Sequence, residues 1–133
     1  MPFIQASSLN NEDFQVLSAG NFFFSAMCYG CSASTTSDAN FMPNVYRKIK
    51  RLFDNGDLVS ARNLQYKAIN ILRNLPRTKN GESSAEIKYI LSLMGLCSEY
   101  VNEGYRTLLD YEKEKVNSIL PQILSFDQDS IIS

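Results

Sequence analysis

The first half of the chain alternates between short β-type segments and the helices that follow them. Residues 14–17 alternate weakly in polarity and predict a short, mostly buried strand, and the small β-tolerant residues 31–35 predict a second one. Between them, residues 22–29 are apolar on most sides and predict a compact helix that Gly30 ends. A further helix is entered through residues 38–40. Strand, helix, strand and helix in this order predict an α/β unit with parallel strands.

The second half of the chain predicts helices only, because its apolar residues recur at helical spacing. The four predicted helices cover residues 41–53, residues 57–75 after an Asp57 N-cap, residues 84–94, and residues 109–120 up to Pro121, and the tail from Ser125 is predicted to be loose. Two strands do not make a stable sheet by themselves. We therefore expect further strands to complete the sheet, or its open edges to pair with another chain.

Length and charge exclude several classes of function. The 133 residues predict one domain, and the 13 basic and 14 acidic residues give a net charge of −1. No basic stripe is present for nucleic acid, and no polybasic or long apolar segment is present for a membrane. The absence of histidine excludes His-based catalysis and His metal sites within the chain. We predict no metal and no cofactor.

The three cysteines and the seven lysines could each have a structural or a chemical role. Cys28-x-x-Cys31 is spaced like a redox pair, but the predicted helix places Cys28 near a C-terminus, where the helix dipole opposes a thiolate. A zinc site would need two more ligands, and only Cys97 remains, so buried structural cysteines are the favoured interpretation. The odd count predicts a reducing compartment, cytoplasm or mitochondrial matrix, and no secretory signal is apparent. All seven lysines are predicted to be solvated on helix faces or in a loop, which leaves no candidate for a Schiff base.

Several short sequence segments, taken in their order and spacing, resemble one family of aldolases. They are residues 13–20, Gly30, residues 39–40, residues 55–58 with Ala61, Leu64 and Gln65, residues 87–95, and the Gly-x-Arg-x-Leu run of residues 104–108, which lacks the proline expected after its arginine. Together they are similar to the C-terminal part of the dihydrodipicolinate synthase and N-acetylneuraminate lyase family. Residues 13–17 are most similar to the 4-hydroxy-2-oxoglutarate aldolases.

The resemblance implies a fold, a chemistry and a set of site residues. The fold would be the C-terminal part of a (β/α)8 TIM barrel, with residues 1–39 as its last strand-helix-strand unit and residues 40–133 as its final helix and a C-terminal helical extension. Residues 1–11 would be the tail of the helix before strand seven. The chemistry would be a Schiff base between a lysine and a 2-oxo acid such as pyruvate. The loops after the two strands would line the substrate pocket, which makes the candidate substrate-binding residues Ser18, Gly20, Thr35 and Ser37.

The same resemblance places the family's lysine, its proton-transferring tyrosine and its carboxylate-binding Thr/Ser pair upstream of these residues, so no catalytic residue is assigned. The first hypothesis is accordingly a truncated 2-oxo acid aldolase or lyase that is inactive alone. The second is an interaction or regulatory module that docks on a full-length relative. The third is a small redox protein that uses Cys28 and Cys31. The expected partners are a 2-oxo acid substrate and either further copies in a homo-oligomer or a full-length relative.

Overall fold

Two short parallel strands and five α-helices make up the part of the chain that the computed structural model describes, residues 14–76 and 84–131. In chain order they are β1 (Leu17–Ala19), α1 (Phe23–Cys28), β2 (Ala33–Thr35), a 3₁₀ turn (Ser37–Asn40), α2 (Pro43–Asp54), α3 (Leu58–Leu72), α4 (Ser84–Leu93) and α5 (Asp110–Gln128). The α/β class and the strand-helix-strand order predicted from the sequence are confirmed. The predicted helical tail at residues 1–11 and the loop at residues 77–81 lie outside the described residues.

The strands pair in parallel through α1, with Leu17 opposite Ala33, Ser18 opposite Ser34 and Ala19 opposite Thr35. The prediction of a mostly buried first strand at residues 14–17 is wrong in both position and burial. The three residues of β2 lie opposite residues 17–19, which fixes where the ladder forms, and residues 14–16 precede it. Phe14 and Leu17 are exposed, and only the middle residue of β1 is buried.

One hydrophobic cluster joins α1, the 3₁₀ turn and the helices that follow. Its centre is the predicted stripe of α2, where Val45 and Ile49 are fully buried. Pro43 occupies the start of this helix, where its missing N–H breaks no hydrogen bond. Asp57 caps α3 as predicted, accepting from the Ser60 backbone N–H at 3.1 Å. The cluster draws on both sides of residue 39, and the division of the chain into residues 1–39 and 40–133 stays a prediction.

The last helix is longer than the sequence predicts. α5 continues through Pro121 to Gln128, so the predictions of an end near Leu120 and of a loose tail from Ser125 are wrong. A proline inside a helix removes one backbone hydrogen bond, and tertiary contacts can outweigh that loss. Here Val116 and Ile123 are fully buried, and the carboxylate of Asp127 binds the N-terminus of α2. Packing on both sides of Pro121 therefore holds the helix together.

Candidate functional site

The carboxyl ends of β1 and β2 lie side by side and carry the loops that the sequence marked as a site. The backbone N–H of Gly20 donates to the Thr35 carbonyl at 3.1 Å, which continues the ladder one residue beyond β1. Gly20 has a φ of 80°, a left-handed conformation that glycine adopts without strain. Ser37 begins the 3₁₀ turn, and its carbonyl accepts from the side-chain amide of Asn40 at 2.9 Å. Gly20, Thr35 and Ser37 are all exposed at this edge.

Ser18 is separated from these three residues by the alternation of side chains along the strand. Its side chain is buried, with 6% of the residue exposed, while its neighbours Leu17 and Ala19 are exposed on the opposite face. The Ser18 Oγ has no hydrogen-bond partner among the described residues. Its carbonyl accepts from the hydroxyls of Ser34 at 3.3 Å and Thr35 at 3.4 Å. Ser18 can therefore reach the exposed edge through its backbone, and its role in substrate binding stays a prediction.

A tyrosine and an aspartate that the sequence reasoning did not select lie directly behind this edge. Asp38 is in the 3₁₀ turn, and the buried Tyr46 of α2 donates from its hydroxyl to Asp38 Oδ2 at 3.4 Å. Burial, reinforced by the charge of Asp38, raises the pKa of Tyr46 well above its ordinary value. Tyr46 is therefore a neutral hydrogen-bond donor. It ties the turn that carries Ser37 to the fully packed helix behind it.

Gln65 of α3 supports the other loop, the one that follows β1. Its Oε1 accepts from the Phe24 backbone N–H at 3.1 Å, and its Nε2 donates to the Asn21 carbonyl at 2.7 Å. Both ends of the amide are thus used, at a side chain that is almost fully buried. The signal in the sequence was a glutamine on the buried stripe of α3, between Ala61 and Ala68. A polar residue on such a stripe indicates a required hydrogen bond.

Four of the six described lysines are half-buried and not fully solvated as the sequence predicts; they are Lys48, Lys50, Lys88 and Lys113. Lys50 pairs with Asp54 at 2.6 Å and Lys113 with Glu99 at 2.6 Å. The pairing with Glu99 raises the pKa of Lys113, the opposite of what a nucleophilic amine needs. Lys67 and Lys115 are exposed. Lys79, predicted in a loop, lies outside the described residues.

The prediction of buried structural cysteines holds for one of the three, since Cys28 and Cys97 are exposed. Cys31 is buried as predicted, and burial raises the pKa of its thiol. Cys28 is exposed, so the prediction of burial is wrong for this residue: it is the last residue of α1, whose buried residues are Phe23, Ala26 and Met27. A raised thiol pKa disfavours the thiolate that the redox hypothesis requires. Within residues 14–76 and 84–131, no three Cys, Asp or Glu side chains are grouped in a way that could hold a metal ion.

Solved structures with this arrangement of strands and helices are larger aldolases and synthases. A catalytic-lysine mutant of the sialic acid aldolase of Ruminococcus gnavus superposes with a TM-score of 0.83 at 21% identity, covering 98% of this chain and 43% of the aldolase. The dihydrodipicolinate synthase of Bacteroides thetaiotaomicron gives 0.73 at 26% identity, covering 85% and 39%. A monomeric dihydrodipicolinate synthase variant gives 0.75 at 18% identity, covering 97% and 42%.

This chain therefore spans less than half the length of each of these structures. No curated protein matches it at a significant level. In the described part of the chain, no helix is both long and apolar enough to cross a membrane. The family model of the dihydrodipicolinate synthetases matches residues 3–123, nearly the whole sequence. The strand pair, the helices behind it and this match lead to one conclusion: the chain belongs to the dihydrodipicolinate synthetase family.

Proposed function

We propose that this chain forms the C-terminal part of the barrel of a 2-oxo acid aldolase or lyase, with residues 1–39 supplying the last two strands and residues 40–133 the final helix and helical extension. The observation that carries the proposal is the exposed edge formed by Gly20, Thr35 and Ser37 at the carboxyl ends of two parallel strands, in a chain of this family. Barrel enzymes bind their substrates at that end of the strands. The similarity of residues 13–17 to 4-hydroxy-2-oxoglutarate aldolases favours pyruvate-related substrates.

Backbone and hydroxyl groups at this edge suit the carboxylate and hydroxyl groups of a 2-oxo acid. The exposed loop after β1 offers Gly20, whose lack of a side chain lets a ligand approach the backbone. The end of β2 and the turn after it offer the hydroxyls of Thr35 and Ser37. Ser18 would contribute only its carbonyl, which can accept from a substrate hydroxyl but not from a carboxylate, since its side chain lies on the buried face. Tyr46 and Asp38 fix the second loop, and Gln65 fixes the first.

The covalent step needs a lysine in a dry pocket that lowers its pKa, and no described lysine is buried. Lys50 and Lys113 are ion-paired, and Lys67 and Lys115 are exposed. The related aldolase from Ruminococcus gnavus is described as a mutant of its catalytic lysine, which supports lysine chemistry in the family. We infer that the 133 residues alone are inactive and that the nucleophile comes from strands that pair with this sheet.

Those strands would come from a longer chain or a full-length relative, because a second copy of these residues would bring only the same lysines. The face of the sheet that carries Leu17 is exposed, and further strands and their loops would cover it. The free thiols of the described cysteines fit a reducing compartment, cytoplasm or mitochondrial matrix.

The covalent part of the proposal is tested by borohydride trapping. The chain is incubated with pyruvate or 4-hydroxy-2-oxoglutarate and sodium borohydride, and its intact mass is measured. We expect no adduct, because a stable Schiff base needs a lysine enclosed in a dry pocket, and no described lysine is buried. An adduct on a single lysine, located by peptide mapping, would overturn the inference that the nucleophile lies elsewhere.

The binding part is tested separately by titrating the isotope-labelled chain with pyruvate and recording backbone amide shifts. Pyruvate is expected to shift the amide signals of Gly20, Thr35 and Ser37. Lactate, which lacks the 2-oxo group, is the control ligand and should shift them less. Thr35→Val removes the hydroxyl at nearly constant shape and should weaken the effect, while Ser118→Ala, on the exposed side of α5, should not. Saturating shifts that avoid this edge would argue against the proposed site.

A further inference from the structure

A cavity of about 610 Å³ lies outside the proposed substrate edge, between α1 and α3. It begins beside Asn21 and runs along α3 to Arg73. Small-molecule sites in proteins fall in the range of about 300–1,000 Å³, so the cavity is large enough for a ligand with one aromatic ring. None of its lining residues is among the four candidates for 2-oxo acid binding.

Three lining residues are held in place by contacts that involve no ligand. The backbone of Phe24 is fixed by its hydrogen bond to Gln65, and its ring packs edge-on against Phe53 with centroids 5.9 Å apart. Leu72 is fully buried. Gln65 also donates to the Asn21 carbonyl, so this part of the lining is preformed. A preformed site spares a ligand the cost of ordering the protein.

Two aromatic side chains in the lining leave much of their surface in water. Phe22 is 66% exposed and Tyr66 is 57% exposed, and both line the cavity. Phe22 directly precedes α1, and Tyr66 is on the outer side of α3. Large aromatic surfaces that flank one cavity gain most from a flat apolar ligand, because stacking or edge contact removes their faces from water.

The charge of the lining indicates which polar group the ligand carries beside its aromatic ring. Arg73 at the end of α3 brings a guanidinium group to the cavity, and the described lining residues include no carboxylate. The other polar side chains of the lining can all donate hydrogen bonds; they are Asn21, Ser25, Gln65, Tyr66 and Asn70. A guanidinium with neighbouring donors recognises a carboxylate in preference to a cation.

We propose that the groove between α1 and α3 is a binding site for small aromatic carboxylates. The ring lies between Phe22 and Tyr66, and the carboxylate lies on Arg73. The site adjoins the loop after β1 through Asn21 but involves no Schiff base, because a ligand without a keto group satisfies it.

The test uses 3-phenylpropionate, which cannot form a Schiff base, titrated into the isotope-labelled 133-residue chain. We expect saturable shifts in residues 22–25 and 66–73, with a dissociation constant on the order of 1 mM or tighter for a ligand of this size. Propionate lacks the ring and 3-phenylpropanol lacks the charge, and each should bind at least about tenfold more weakly. The absence of saturation with 3-phenylpropionate, or equal binding of all three probes, would overturn the proposal.

Substitutions at two exposed lining residues, with a matched control, distinguish binding at this site from non-specific binding. Arg73→Gln should weaken binding of 3-phenylpropionate by roughly tenfold or more, and Tyr66→Ala should weaken it as well. Arg62→Gln changes an exposed arginine of the same helix that does not line the cavity and should leave binding unchanged. Equal losses for Arg62→Gln and Arg73→Gln would contradict a built site. So would sedimentation showing that a second copy occupies the groove and that Tyr66→Ala dissociates the pair.

Discussion

Glu112 fixes a loop and a helix end at the same time. Its two carboxylate oxygens accept from the two terminal nitrogens of Arg106 at 2.6 and 2.7 Å, and Oε2 also accepts from the Leu109 backbone N–H at 2.8 Å. The last contact satisfies a donor at the start of α5, as in the return half of a capping box. These hydrogen bonds, that of Arg106 first, lower the pKa of Glu112 from its ordinary value to about 2. The Gly-x-Arg-x-Leu run of the sequence therefore has a structural role here.

Replacing this carboxylate should change both stability and its dependence on pH. Because the folded-state pKa is depressed, the stabilisation is present above the ordinary pKa of 4.5 and is lost as pH falls from there toward about 2. We expect Glu112→Gln to lower the free energy of unfolding by about 1–2 kcal/mol at pH 7, since Arg106 is partly exposed and screened. The difference from the parent should shrink below pH 4.5, as followed by urea unfolding at several pH values.

Glu114→Gln removes an exposed carboxylate of the same helix and serves as the control. A loss of stability for Glu112→Gln that stays the same at pH 3 and pH 7 would contradict the charge-based account.

Gln65 gives a second prediction at the level of one side chain. Gln65→Leu keeps the approximate volume but leaves the Phe24 N–H and the Asn21 carbonyl without their partner. We expect the free energy of unfolding to fall by about 2 kcal/mol, the cost of buried groups left without hydrogen bonds. Hydrogen exchange at the Phe24 amide should accelerate by more than the fall in the global free energy of unfolding explains. The exposed substitution Asn63→Leu on the same helix should do neither, and equal exchange in the two variants would contradict the role assigned to Gln65.

At the scale of elements, helical stripes and caps were predictable because they follow from local periodicity. The stripe of α2, the Asp57 cap of α3 and the glycine that follows α1 all appear where the sequence indicates them. The position of β1 was not predictable, since the residues opposite it in β2 decide its register. The length of α5 was missed for the same reason. Contacts made 83 residues apart in sequence outweigh the local effect of Pro121.

The contact that extends α5 is itself testable. Asp127 Oδ1 accepts from the backbone N–H groups of Asn44 and Val45 at 2.7 and 3.0 Å, and Oδ2 accepts from the Asn44 side-chain amide at 2.8 Å. It acts as an N-cap supplied by a distant helix. Asp127→Ala should lower the free energy of unfolding by about 1–2 kcal/mol and reduce helicity after Pro121.

Asp129→Ala provides the matched control, because the exposed Asp129 contacts Lys48 through its backbone carbonyl and not through its side chain. The two variants are compared by thermal unfolding and by amide exchange in residues 122–128. Equal melting temperatures would show that α5 does not depend on its contact with α2.

For the molecule as a whole, the sequence predicted the class and the family resemblance, and the arrangement of the site was only partly predictable. The loops after β1 and β2 lie next to each other as parallel strands require. Ser18 was expected beside Gly20 and Thr35, but the face on which a strand residue lies depends on the register and on which side the helices cover. Gln65 holds the first loop from more than 40 residues along the chain, and its polar side chain on a buried stripe indicates a hydrogen bond but not the partner. Tyr46 holds the second loop from eight residues away, where the apolar stripe of α2 gave no sign of a polar role.

The exposed face of the sheet leads to a prediction about how much Leu17 contributes to stability. Leu17 is 51% exposed on that face, while Leu72 of α3 is 1% exposed within the core. The same change at both positions should therefore have unequal effects in the 133-residue chain: Leu72→Ala should cost about 3 kcal/mol through a cavity, and Leu17→Ala less than about 1 kcal/mol. Urea unfolding at two protein concentrations measures both. Similar losses that grow with concentration would show that a second copy covers the sheet, whereas similar losses at any concentration would mean that Leu17 is buried within one chain.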